Sequence, residues 1–521
     1  MNKRHFDVVV LGRSLGALAT AALLARRDFS VLVLGQERRP ASYRFERFQL
    51  KRRTFSLLFN RSPVWQRILQ ELAQSPSLKR RIKAVEPMFC FATEDRRLEI
   101  ASDRKRFKAE IEREFPKVQQ LVDDFYSRLA SAVADIDDAF GRDAVWPPGT
   151  FMEKLEAGRT TSKLPFIGNR DPGDLLGKFP PEHPYRELAT LPAVFATDLD
   201  YGLMGLPQVA FARLHGAWTR GLYQLEQGEE ELEQFLVERV EANGGVCALN
   251  QSASMISTRG GVVSGVIESG DDEPIGTSAV VSDLSGEAIA ALAQGEGLTK
   301  QAEQQWPSVS PTAGRFIVNV VVKTAALPDA VGQETFLLPR EGELPNPREP
   351  VVHLQKYSPN QLGNDVAKDE TLLVAESLLP ADGALTLYEA RAAVLNTLRF
   401  HLPFLDEHTV LIDSPHDGFP LELYGNGIKR EVDRIHVKES SHKPEFMEHQ
   451  WTVDPPGFLG LAGEPARGPI KGSFLVGKTT LPALGQEGEL ISAWSVARIL
   501  TKLDSVRQRR RQQLWRKMET R

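Results

Sequence analysis

Cysteine is nearly absent from this chain: of 521 residues only Cys90 and Cys247 are cysteines, far apart in sequence. Two such thiols give neither a disulfide framework nor the paired spacing of a zinc site, and they fit a reducing compartment. Long apolar runs are missing too. No stretch of about 18 uncharged apolar residues occurs, so a membrane-spanning helix is not expected. The opening MNKRHFDVVV enters a strand-like run without the apolar core of a secretory signal, so the expected location is cytoplasmic, at most peripheral at a membrane face. Positive charge is not in excess: 64 Lys and Arg against 69 Asp and Glu leave a formal net charge of −5, which argues against a general nucleic-acid binder. No P-loop, internal repeat or G-x-S-x-G nucleophile elbow is present; neither Ser285-Gly286 nor Gly205-Leu206-Pro207 makes one. His401, His408, His416, His436, His442 and His449 crowd one C-terminal region near Asp406, Asp413 and Asp417. They lack the short regular spacing of metal ligands, and no metal is expected.

What is present is an ordinary globular composition, long enough for roughly two to four domains, and one organising stretch, Asp7 to Gln36. Asp7-Val8-Val9-Val10-Leu11 has the β-branched apolar character of a strand buried on both faces. Gly12 breaks the run, Leu15 to Arg27 is alanine- and leucine-rich and should be helical, and Val31 to Leu34 is a second buried strand. This is the spacing of a nucleotide-binding βαβ unit with a right-handed crossover. A dinucleotide pyrophosphate would sit over the first turn of the helix, on free N–H groups and the positive end of the dipole. The glycine pattern is altered: Gly12 holds the first position, Ser14 the second and Ala17 the third. The end of the second strand, where a carboxylate normally meets the ribose, has Gly35, then Gln36 and Glu37.

Glu37 to Arg53 is basic with interleaved aromatics. It reads as a solvated loop, or as a segment whose Arg38 or Arg39 offers charge to a nucleotide phosphate; Tyr43, Phe45 and Phe48 alone are weak support for nucleic acid. Ser62 to Gln74 has helical spacing, Met88 to Phe91 starts a hairpin, and Ser102 to Asp138 is helical with a break at Pro116. Trp146 to Tyr185, rich in proline and glycine, is expected to be a long irregular connection or lid, before helical material from Leu188 to Trp218. A charged helix, Glu229 to Asn243, ends at Gly244-Gly245, and strands follow over Val246 to Leu249, Ala253 to Thr258, Gly261 to Glu268 and Ala279 to Asp283. Ile317 to Lys323, Val351 to Gln355 and Thr371 to Glu376 suggest an antiparallel sheet, Thr386 to Phe400 a helix, and Gly472 to Leu500 a strand, glycine loop and closing helix. The tail SVRQRRRQQLWRKMETR reads as a solvated helical end, or as a contact to a membrane or anionic partner through Trp515.

The order of these blocks resembles the FAD-dependent phytoene desaturase and carotenoid isomerase family, within the wider amine-oxidase group. The resemblance rests on the opening βαβ; on Gly228, Gly244-Gly245, Ala253 to Ile256, Gly261 to Val266 and Val280-Val281; and on Phe474-Leu475-Val476-Gly477, Pro482, Gly485 and Gly488. It implies an α/β fold: a Rossmann-like FAD-binding domain with a parallel sheet (1–75, 223–290 and 465–505), an antiparallel-sheet substrate domain (76–100 and 305–460), a helical or irregular insertion (101–222) and a basic tail (506–521). It further implies bound FAD, with Gly12, Ser14, Gly16 and Ala17 facing the pyrophosphate, Gly35 and Gln36 by the ribose, and the Ala253 backbone at the adenine; Leu15 in the same turn, and Arg38 by its charge, complete the candidate cofactor residues. Gly477, Gly485 and Gly488 would meet the ribityl chain and flavin ring. In such enzymes the flavin carries the redox step and the protein supplies an apolar tunnel, so no catalytic side chain is singled out. The departures cluster at the flavin: Ser14, Gly35, Pro40-Ala41-Ser42-Tyr43-Arg44 in place of the family's Gly-Gly-Arg, and Lys478-Thr479-Thr480. One lost charge-assisted ribose bond costs about 1.5–3 kcal/mol and is survivable; several at one site raise the alternative of a vacant pocket. Two functions follow. One is an FAD-dependent oxidoreductase, desaturase- or isomerase-like, acting on a lipophilic, isoprenoid-type substrate. The other is a flavoprotein-fold module that has lost the cofactor and works in binding or as a scaffold.

Overall fold

A computed structural model describes residues 5–504 apart from 168–173, 201–204, 329–330, 340–345, 363–365, 426–427 and 442. The tail 506–521 with Trp515, and His442, lie outside the described residues.

The valine run is where the first sheet begins. Val8, Val9, Val10 and Leu11 are wholly buried, as a strand covered on both faces requires. Five strands run parallel, in the order Ser473–Leu475, Ile275–Ser282, His5–Leu11, Val31–Leu34 and Val246–Ala248. A hairpin of Ala253–Arg259 and Val262–Glu268 extends the sheet antiparallel to Ile275–Ser282. The register aligns the carboxyl ends: Leu11 lies opposite Leu34 and Ser282, and Ser282 opposite Leu475. The opening helix, Leu15–Arg26, packs along the closing helix, Gly485–Leu503, and its small residues permit a close approach. A Cβ at Gly16 would lie 2.1 Å from the Val476 carbonyl oxygen.

The second sheet has ten strands around the 16-residue Ser308–Lys323, which pairs antiparallel with Glu370–Pro380, Thr409–Asp413 and Glu448–Asp454. Among the described residues one of its strand pairs is parallel, Glu334–Leu337 with Phe89–Ala92. A parallel sheet under helices beside a separate antiparallel sheet is the expected α/β class. Between Ile100 and Leu222 the chain is mostly helical, and Pro116 opens a short 3₁₀ turn between helices Arg104–Glu114 and Gln119–Phe140.

Two segments differ from their sequence reading. Trp146 to Tyr185 contains a helix, Phe151–Thr161, begun by a capping box in which the Glu153 amide donates to Thr150 Oγ1 and Glu153 accepts from the Thr150 amide. The Thr-x-x-Glu signature was there, hidden by flanking prolines and glycines. The basic stretch after the second strand is a hairpin, Ser42–Phe45 with Phe48–Lys51, whose Tyr43, Phe45 and Phe48 are buried against the second sheet. The aromatics that hinted at base stacking are core.

The opening helix ends on a buried ion pair. Arg27 Nε and Nη2 donate to the two carboxylate oxygens of Glu71 at 2.6 and 3.1 Å, and Nη1 to Thr501 Oγ1 at 3.0 Å. Both charged side chains are almost fully buried. Arg27→Met removes the two guanidinium hydrogen bonds to the buried Glu71 carboxylate and should cost about 3–5 kcal/mol, while the double variant Arg27→Met/Glu71→Leu should recover most of it. Urea midpoints at unchanged m-value check both.

Candidate functional site

Aligned strand ends place Gly12, Gly35, Leu249, Asp283 and Val476 around one crevice, where open α/β sheets take their ligands. Ser14 is the N-cap of the opening helix, and its hydroxyl accepts from the Ala17 amide at 3.2 Å. The next amides are occupied as well. Ser14 N–H donates to Asp283 Oδ2 at 2.8 Å, and Gly16 N–H to Glu489 Oε2 at 3.2 Å. Two carboxylates of the chain itself therefore stand where the helix dipole and free amides would attract a phosphate. Gly12 has φ +118°, and a Cβ there would lie 1.9 Å from Asp283 Oδ1. The glycine that would let a phosphate approach lets Asp283 approach instead.

The other contacts of an adenosine half are filled in the same way. A Cβ at Gly35 would lie 1.9 Å from the Leu249 carbonyl oxygen, so no side chain, a ribose-binding carboxylate included, fits at that position. Gln36 spends its amide on the backbone of Ala253: Oε1 accepts from Ala253 N–H and Nε2 donates to Ala253 O at 3.4 Å. Those are the groups that the family resemblance would assign to an adenine. Gly477 rests against the Asp283 carbonyl, Gly485 against that of Ala196 and Gly488 against that of Leu481, with a Cβ at 2.3, 2.0 and 2.2 Å from the respective oxygens.

The cations beside the crevice are paired. Arg38 donates to Glu448 at 3.1 Å and lies 3.9 Å from both Asp283 and Glu229, and Lys478 Nζ is 2.6 Å from Glu448. Burial works against Glu448, yet Lys478, Arg53 and Arg38 hold its carboxyl well below the usual range. Glu489 is the opposite case: burial pushes it up to about 7, although Lys478 and Arg38 pull it down. Behind these pairs lies a cavity of about 100 Å³ bounded by Arg38, Arg53, Trp218, His353 and Glu376, small beside the ~300–1,000 Å³ of typical ligand pockets. A more open groove of about 420 Å³ outside it has Asp283, Glu448 and Lys478 in its wall. In this arrangement the residues present do not fit FAD, because a pyrophosphate would have to displace two carboxylates from the amides it needs.

Of the residues picked from sequence, Gly12, Ser14, Gly16, Gly35, Gln36, Arg38, Ala253 and Gly477 gather at or beside this crevice. Leu15 lines the inner cavity, Ala17 is wholly buried in the first turn, and Gly485 and Gly488 begin the closing helix. Sequence reasoning missed Asp283 and Glu489. Asp283 was readable as an acid directly after a buried strand, whereas nothing local marks Glu489, one position after Gly488. His353, with Glu334 at 2.8 Å and Glu376 at 3.2 Å, was also missed. The C-terminal histidines go separate ways: His401 meets the Leu338 carbonyl and His416 that of Glu445.

No family model and no curated protein sequence matches the chain. Solved structures do. An oxidoreductase from Methanosarcina mazei aligns with TM-score 0.57 at 15% identity, over 94% of this chain and 99% of that one. Wild-type putrescine oxidase bound to putrescine aligns with TM-score 0.51 at 13% identity, and cyclohexylamine oxidase from Brevibacterium oxydans with 0.51 at 11%, each over 96% of this chain and 99% of the other. At these identities the likeness is one of architecture and does not single out the phytoene desaturases. The chain shares the fold of these three structures.

Proposed function

We propose that this chain keeps the flavoprotein architecture without the dinucleotide and acts as a binding or scaffold module. The observation that carries this is the pair of hydrogen bonds from the Ser14 and Gly16 amides to Asp283 and Glu489. For FAD to enter, both carboxylates must leave the positive end of a helix and then remain beside a pyrophosphate, and Gln36 must release Ala253. Giving up a charge-assisted bond costs about 1.5–3 kcal/mol, and the bond to Glu489, whose carboxyl is pushed up to about 7, costs less than that to an ionised carboxylate.

The competing reading is an FAD-dependent oxidoreductase acting on a lipophilic, isoprenoid-type substrate. It is favoured by the fold and by two buried polar atoms with no partner among the described residues, Gln486 Oε1 at the inner cavity and Trp451 Nε1 at the groove. A ligand would satisfy them; so would water. The two readings separate in one experiment. Purified protein should be colourless near 450 nm (roughly the flavin band), and added FAD should leave its melting temperature unchanged. Flavin at a hundred times its Kd would add about 2.7 kcal/mol to stability. Stoichiometric yellow flavin, or such a stabilisation, overturns the cofactor-free reading and restores the enzyme.

A further inference from the structure

The helix Phe151–Thr161 turns apolar side chains outward. Phe151 is 79% exposed, Met152 69% and Leu155 46%, while Ala157 and Thr160 on the opposite side are buried. At 100° per residue the first three share one arc of the helix, and Lys154 and Arg159, both exposed, lie within or beside it. Of the helix's two acids, Glu153 lies on the far side and is held by Arg467 at 2.7 and 2.8 Å, while Glu156 lies at the edge of the arc, partly exposed, and is paired with Arg498 at 2.7 and 3.0 Å. The exposed face thus combines aromatic and aliphatic groups with cations, and the one acid at its edge, Glu156, is ion-paired. Just beyond it Lys163 pairs with Asp138 at 3.7 Å.

We infer that this face is the contact surface for an anionic lipid bilayer. Apolar side chains flanked by Lys and Arg have the chemistry of a helix lying in the headgroup region, and no helix among the described residues is long and apolar enough to cross a membrane. A single shallow apolar contact holds a protein only weakly, and firm attachment takes a second signal. The chain supplies a candidate in its sequence. Arg498, which grips Glu156, belongs to the closing helix, which ends five residues later at Leu503, 75% exposed. The 17 residues from 505 onward contain seven Lys and Arg and one Glu. The chain as a whole is negative, so attraction to an acidic surface must come from locally clustered cations: those on the helix, and in sequence those of the tail. The inference is independent of whether the crevice binds flavin.

Co-sedimentation of the full chain with lipid vesicles tests it. Binding to phosphatidylcholine–phosphatidylserine vesicles should exceed binding to phosphatidylcholine alone by about tenfold or more and weaken with salt. The triple variant Phe151→Ser/Met152→Ser/Leu155→Ser leaves Thr150 and Glu153 in place, so the helix start persists; it should lose about tenfold in vesicle affinity at an unchanged melting temperature. A chain ending at Asp504 should lose a similar factor. Unchanged sedimentation of the triple variant overturns the inference, even if the shortened chain fails to bind, because the tail would then act alone. Conversion of a dimer to a monomer by the triple variant, with vesicle binding intact, overturns it in favour of a second copy of this chain.

Discussion

Gly35→Glu, which puts back the acid that a dinucleotide ribose needs, is expected to cripple folding and to recruit no FAD. The Cβ of any residue at this position meets the Leu249 carbonyl oxygen at 1.9 Å and its carbon at 2.7 Å. That carbonyl cannot retreat freely, because Val246–Ala248 just before it is paired in register with Leu32, Val33 and Leu34. Overpacking in a rigid core costs about 1–3 kcal/mol, and a clash between two backbones should reach the top of that range or pass it. Gln36→Glu, one residue on, is the control. It gives up the donation to the Ala253 carbonyl and sets a carboxylate beside that oxygen, at a cost of about 1 kcal/mol, with the strand pairing intact. Urea denaturation of the two variants with and without FAD gives the answer. A Gly35→Glu protein as stable as its parent and yellow with flavin would show that the crevice can reopen, and the cofactor-free reading would fail with it.

The architecture was legible because it is written in period and punctuation. A four-residue valine–leucine run, Gly12, an alanine-rich helix and a second apolar strand can hardly fold otherwise, and the same holds for Glu229–Ala242 closed by Gly244 at φ +83°. The chemistry at the crevice was only half legible. The altered positions Ser14, Gly35 and Gln36 were visible, but what replaces the lost contacts depends on side chains distant in sequence. Asp283 reaches the first turn of the opening helix across 269 positions and Glu489 across 473. Such pairings follow from which strand and helix lie next to one another, a property of topology rather than of local pattern. The helix at Phe151 was missed for a different reason: a four-residue capping signal was outweighed by the prolines and glycines on either side.

His353→Gln should produce the second large loss, and the loss should depend on pH in a way that identifies its cause. The imidazole is buried between two carboxylates, Nε2 to Glu334 at 2.8 Å and Nδ1 to Glu376 at 3.2 Å, and is stacked on Phe336 with ring centroids 4.8 Å apart. Burial alone would lower its pKa, but hydrogen bonds to Glu334 and Glu376 outweigh it and raise the value from 6.5 to about 9. The folded state therefore holds a proton that the unfolded chain releases earlier. The stabilisation is complete below about pH 6.5 and is lost as pH rises through about 9. A rise of that size corresponds to about 3 kcal/mol. Glu376 contributes with the opposite sign at the other end of the scale: burial notwithstanding, Arg315 and His353 lower it to about 2, so its share is present above the usual carboxylate range and disappears only as pH falls toward 2. The stability gap between parent and His353→Gln should then be widest at and below about pH 6.5 and narrow by about 3 kcal/mol between about pH 6.5 and pH 10, leaving a remainder from lost stacking on Phe336. Urea unfolding of both proteins across that range measures the gap, in which titrations common to the two cancel. A gap that stays constant with pH would mean that a neutral ring holds Glu334 and Glu376 together by packing alone, and that the inner wall of the crevice carries one positive charge fewer.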